Sequence, residues 1–135
     1  MTRHPASGQV LAESLRDCAR GIYPDEAAVE LLIGHGTFLR RDDFTGRFIE
    51  RGTSASDGAV LAAVDWEAAT AALSGGELPC SGGERRILML SASLAAGIPV
   101  DLRDAVTGLD DRNFQRLLTA ISHASGKRPL NSGYS

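Results

Sequence analysis

The sequence predicts an all-α fold of about six short helices. Three observations carry that expectation. Apolar residues recur at helical spacing through most of the chain. Aromatic residues make up only 5%, so aliphatic and small side chains, chiefly Ala and Leu, must fill the core, and such side chains let helices approach closely. No two alternating runs flank a hairpin turn. With 135 residues the chain is read as one domain able to bury a core. An arrangement of two helical subdomains is also open.

Residues 1–7 and 127–135 are expected to fray. The first helix places Leu11, Leu15, Cys18 and Ile22 on one face and stops near Gly21. A second opens at Pro24, with Asp25 and Glu26 near the positive end of its dipole. Val29, Leu32 and Ile33 form its apolar side, and Gly34-His35-Gly36 ends it. DDFTGRFIERG predicts an Asp-capped helix with Phe44 and Phe48 one turn apart. Small polar residues and two glycines make 52–58 (GTSASDG) the most linker-like stretch, the point where two subdomains would join. The run 59–64 (AVLAAV) fits a helical turn or a strand. Asp65 caps a helix through Leu73. Two further helices are predicted, over about 82–96 and 111–124. The last sets Phe114, Leu117, Leu118 and Ile121 at i, i+3, i+4 and i+7 toward the core, with Arg112, Gln115 and Arg116 outward.

The tetrad S-G-G-E occurs twice, and helix ends account for both copies. After the Ala-rich helix, Gly75 or Gly76 can adopt a left-handed backbone, and Pro79 blocks continuation. In the second copy, Ser81 and Glu84 stand in the S-x-x-E spacing of a capping box. Ile87, Leu90 and Leu94 then supply an apolar stripe, with Leu88 beside it.

CSGGERRILML, residues 80–90, resembles the signature motif of ABC-type ATPases. PVDLRDAVTGLD, residues 99–110, is similar to their Walker B strand and D-loop. The resemblance implies that Ser81, Gly82 and Gly83 contact the γ-phosphate of ATP held by an opposite subunit. It also implies that Gly108, Leu109 and Asp110 form a D-loop. The residues depart from that family at its chemical core. Arg103 occupies the Walker B aspartate position and would repel Mg²⁺, and Asp104 occupies the catalytic glutamate position. Pro99 interrupts the preceding strand. The phosphate loop G-x-x-x-x-G-K-[ST] is absent, and the only lysine is Lys127.

Other chemistry is thinly represented. His4, His35 and His123 do not stand at ligand spacing from one another, so neither a metal nor a cofactor is expected. His35 and His123 fall at helix ends, where the dipole favours a cation. The pairs Asp42–Asp43 and Asp110–Asp111 sit at helix starts and read as capping residues. Cys18 and Cys80 lack CxxC spacing and read as small buried hydrophobes in a reducing compartment. The net charge of −3 argues against a generic nucleic-acid coat or an anionic membrane partner. No apolar run reaches the roughly 18 residues of a membrane span, and MTRHPASGQV contains no signal-like apolar stretch.

Two arginine groups remain. Arg40, Arg41, Arg47 and Arg51 alternate with Phe38, Phe44 and Phe48, and could meet nucleic-acid phosphates or a partner's carboxylates. Arg85 and Arg86, with Ser81 and the free amides of Gly82 and Gly83, could form an anion or nucleotide site at a helix N-terminus. With no catalytic constellation found, the expected function is a small cytosolic, non-enzymatic protein-binding or adaptor module. Its partner would be another protein, with a second copy of the chain also plausible. The alternative is a nucleic-acid-binding accessory protein.

Overall fold

Local signals build most of the helices in the computed structural model, which describes residues 7–127. Of the expected frayed ends, 1–6 and 128–135 lie outside the described residues. Helix α1 spans Ser7–Ala19 and buries Leu11, Ala12, Leu15 and Ala19. Cys18 is exposed, against expectation. The stripe at 11, 15 and 19 drifts by about 40° at each step, because helical residues are roughly 100° apart. The last turn therefore faces away from Cys18. Ile22 lies beyond the helix and is also exposed.

Helix α2, Tyr23–His35, carries Pro24 in its first turn and closes on left-handed Gly36. Ala27, Ala28, Val29, Leu31 and Leu32 are all buried, so most of its circumference faces protein. It packs against α1, a fifth helix and a seventh. A 3₁₀ turn over Phe38–Arg40 leads to α3, Asp42–Phe48. Phe38, Phe44 and Phe48 form a buried aromatic row, with ring centroids 5.0 and 5.5 Å apart. The cap of α3 is Arg41, not an aspartate, and it has no side-chain cap bond.

The fold is mainly helical but not purely all-α. The segment beyond Phe48, expected to continue as helix, forms strand β1, Ile49–Thr53. It pairs antiparallel with β2, Val60–Val64, from Ile49↔Val64 to Thr53↔Val60. Residues 52–58 therefore supply the end of β1 and most of the hairpin connection. Within it the Gly58 amide donates to the Ser54 carbonyl, and the Ser54 amide donates to Ala59. Alternation was unreadable because only Ile49 of β1 is buried.

Helix α4, Trp66–Ser74, is capped by Asp65, whose carboxylate accepts from the Ala68 amide at 3.1 Å. Gly76 takes the left-handed conformation at φ 79° that the first S-G-G-E copy predicted. Helix α5, Gly82–Ala96, opens with the capping box. The Glu84 amide donates to the Ser81 hydroxyl at 3.2 Å, and the Ser81 amide donates to the Glu84 carboxylate at 2.8 Å. Asp101 and Asp110 then cap two helices in succession, α6 over Leu102–Gly108 and α7 over Asp111–Ser125. Helix α6 raises the count from about six to seven α-helices among the described residues. It occupies the stretch compared with a Walker B strand and D-loop.

Two apolar clusters result. The larger joins α1, α3, α4 and the hairpin to Val29 and Leu32 of α2 and Leu88 of α5. The smaller joins Ala105 of α6, and Leu117 and Ala120 of α7, to Ala27 and Leu31 of α2 and Ile87 and Leu90 of α5.

Candidate interaction surface

The sequence singles out α7 as the most amphipathic helix, yet its apolar arc is wider than the core covers. The buried side is Asn113, Leu117 and Ala120. One residue further along each turn stand Phe114, Leu118 and Ile121. Phe114 is half-buried, while Leu118 and Ile121 are each 45% exposed. The expected core stripe is thus split. Leu117 faces α2, and the other three lie about 40–100° round the helix axis. On the far flank α2 and α7 form an open groove of ≈ 690 Å³. Its floor includes Ala27, Leu31 and Ala120, and its rim carries Glu30, Arg112 and Arg116. Arg112 is outward as expected, whereas Arg116 is half-buried, lies against Gly34 and donates to the Asn113 side chain at 2.9 Å.

The arginines of 40–51 disperse. Arg41 holds Asp43 through two bonds of 2.9 and 2.6 Å, donates to the Pro79 carbonyl at 2.8 Å and lies near the Phe38 ring. It is therefore a clamp between the start of α3 and the α4–α5 connection. Arg47 covers the Phe48 ring at 4.8 Å and pairs with Glu77 at 3.2 Å. Arg40 and Arg51 are exposed and make no ion pair among the described residues.

At the predicted anion site, Ser81 and Arg86 already have partners within the protein. Ser81 and Glu84 satisfy each other in the capping box. Arg86 donates to both Asp104 oxygens at 3.2 Å and to the Gly108 carbonyl at 3.4 Å, tying α5 to α6. Its guanidinium lies so close to Gly108 that any Cβ there would collide with it. The same guanidinium passes Gly82, and Arg85 is exposed. The signature-like and Walker-like segments do lie side by side, joined by this ion pair. The Arg86 hydrogen bonds hold the Asp104 carboxyl below its ordinary range.

The remaining titratable groups are scattered. His123 approaches Glu26 at 2.7 Å with Tyr23 edge-on to its ring. Burial, reinforced by Arg116, lowers the pKa of His35, and its Nδ1 has no partner among the described residues. A neutral ring does not serve the α2 dipole as expected. Cys80 is half-buried, with its thiol pushed up by that burial, and the Arg41 guanidinium stands 3.7 Å from Sγ. Among the described residues no three His, Cys, Asp or Glu side chains gather as a metal site. No helix among them is long and apolar enough to cross a membrane.

No protein-family model, curated protein or solved structure matches the chain. The part of α7 read as core in the sequence and left exposed here, Leu118 and Ile121, is the candidate surface. Its signal was present: Phe114, Leu118 and Ile121 stand beside Leu117 and Ala120 on one helix, a wider apolar arc than one packing face needs.

Proposed function

We propose that this chain is a non-enzymatic protein-binding module of the adaptor type, working in the cytosol, with α7 as its docking element. The observation that carries the reading is the apolar row on α7 in which Leu118 and Ile121 are exposed beside half-buried Phe114. Apolar side chains aligned on one helix face serve helix-to-helix recognition, where a partner's apolar residues complete the burial. A substitution at an exposed position leaves the core intact, so binding and folding separate cleanly. The test is affinity capture with wild-type and Leu118→Glu baits. A stoichiometric protein retained by the first and lost by the second, at equal melting temperature, supports the reading. Equal retention by both baits overturns it.

Nucleic-acid binding through Arg40, Arg41, Arg47 and Arg51 is the second reading. It is favoured by the exposure of Arg40 and Arg51 without ion-pair partners among the described residues. Contrary support comes from Arg41 and Arg47, whose guanidiniums are committed to Asp43 and Glu77. A salt-sensitive shift of a labelled duplex or single strand, abolished in the Arg40→Ala/Arg51→Ala variant, is the result this reading requires.

A further inference from the structure

The groove between α2 and α7 is separate from the row Phe114, Leu118 and Ile121, which lies about 120–180° round α7 from Arg112. We infer that this groove is a binding site for a small organic anion, a monocarboxylate carrying a short hydrocarbon chain. The inference does not depend on the protein-binding reading above. The two helices run antiparallel along the groove, with Tyr23 near Gly126, Glu26 near His123 and Gly34 near Arg116. Ala27 and Ala120 put small side chains on its floor and leave an open trough of ≈ 690 Å³. That volume lies within the roughly 300–1,000 Å³ of small-ligand sites. With Leu31, the two alanines are buried members of the smaller apolar cluster, so the base of the trough is closed carbon.

Some charges along the trough are already matched. Arg16 bonds both Glu30 oxygens, at 2.7 and 3.1 Å, and His123 meets Glu26. Arg112 and Arg116 have no carboxylate partner among the described residues. They stand one turn apart on α7, where like charges repel. Arg116 is half-buried, bonded to Asn113 and in contact with Gly34, so its position is set by the fold. Counting about 100° per residue, Ala120 lies about 80° from Arg112, with Arg116 between them. Asp111 lies about 100° from Arg112 in the opposite direction, on the outer lip. The unmatched cations therefore border the floor, and the unmatched acid is turned away from it.

A guanidinium takes a carboxylate through two parallel hydrogen bonds. Two guanidiniums beside a closed carbon floor fit a ligand that is carboxylate at one end and hydrocarbon at the other. The hydrocarbon runs from the arginines toward Ala27 and Ala120. Ala120 lies four to eight residues beyond them, about 6–12 Å along the helix. An extended chain advances about 1.2 Å per bond, so about five to ten carbons cover that distance.

Titration of the full chain with octanoate, followed by amide chemical shifts in nuclear magnetic resonance, tests this. The expected result is saturable shifts over 27–31 and 112–120, with octan-1-ol binding about fivefold or more weakly. Arg112 is exposed, so Arg112→Ala leaves the core intact and should weaken octanoate by about fivefold or more. Arg51→Ala removes an equal charge elsewhere and should leave the affinity unchanged. Absence of saturable shifts overturns the inference, as does equal binding of octan-1-ol or indifference to Arg112→Ala. Shifts centred on Leu118 and Ile121 overturn it too. Partner capture and its loss on Leu118→Glu are read separately, so either reading can fail while the other stands.

Discussion

Ser91 is fully buried in α5, and its hydroxyl has no hydrogen-bond partner among the described residues. Replacing it with alanine is expected to stabilise the protein. A hydroxyl buried without a partner costs about 1–3 kcal/mol of lost hydration. Alanine also improves on serine in a helix interior by about 0.5 kcal/mol. Against this stands the gap left by one oxygen, too small for water, whose lost dispersion contacts are worth on the order of 0.5 kcal/mol. The net is a gain of about 1–3 kcal/mol. Equilibrium urea unfolding should show a higher midpoint with an unchanged slope. The melting temperature should rise by roughly 3–5 °C per kcal/mol for a chain of this size. Thr70 supplies the contrast, because its buried hydroxyl donates to the Trp66 carbonyl at 2.8 Å. Thr70→Val should lower the midpoint, by about 1 kcal/mol in stability. A Ser91→Ala midpoint at or below wild type would refute the reasoning, since the hydroxyl must then be bonded in solution.

Three further predictions concern the helix ends and their charges. Ser81→Ala removes the acceptor of the α5 capping box and should lower stability by about 0.5–2 kcal/mol in the same urea assay, with Ser81→Thr recovering most of it. Arg86 lowers the Asp104 pKa, so its contribution is complete above the ordinary carboxylate range and disappears as pH falls through the lowered value. Asp104→Asn should therefore weaken the acid dependence of unfolding, measured as urea midpoint against pH. Burial lowers the His35 pKa from 6.5, so the unfolded chain binds the proton first as pH falls. Stability from this source is complete above that value and declines below it, and His35→Gln should flatten the profile between about pH 7 and pH 5.

Helix boundaries marked by short polar side chains were legible in the sequence. Asp65, Ser81 and Asp110 each accept a backbone amide bond three residues on, and each was placed as a cap from sequence alone. Those signals are local, so one chain segment contains the whole interaction. The hairpin was not legible, because its strands bury few side chains and its connection of small polar residues is no two-residue turn. Its existence depends on α1, which lies against β2 from far along the chain. Helix α6 escaped notice for a related reason. It is seven residues long and buries only Ala105, too little for a period to show. For the candidate surface, the residues of the α7 row were visible and their direction was not. Whether Leu118 faces inward depends on how far the adjoining core extends, which no helical period encodes. Arg41 and Arg86 show the same limit, since their carboxylate and carbonyl acceptors fix them as clamps only once the chain is folded.

Helix α2 lends opposite sides to the two apolar clusters, Val29 and Leu32 to one and Ala27 and Leu31 to the other. Neither half of the molecule can lose its packing without stripping a wall from its neighbour. Heating should thus melt the hairpin end and the α6–α7 end together, as one event at one temperature. A chain cut back before α6 would leave Ala27 and Leu31 facing water, and would be expected to aggregate instead of persisting as a smaller folded piece.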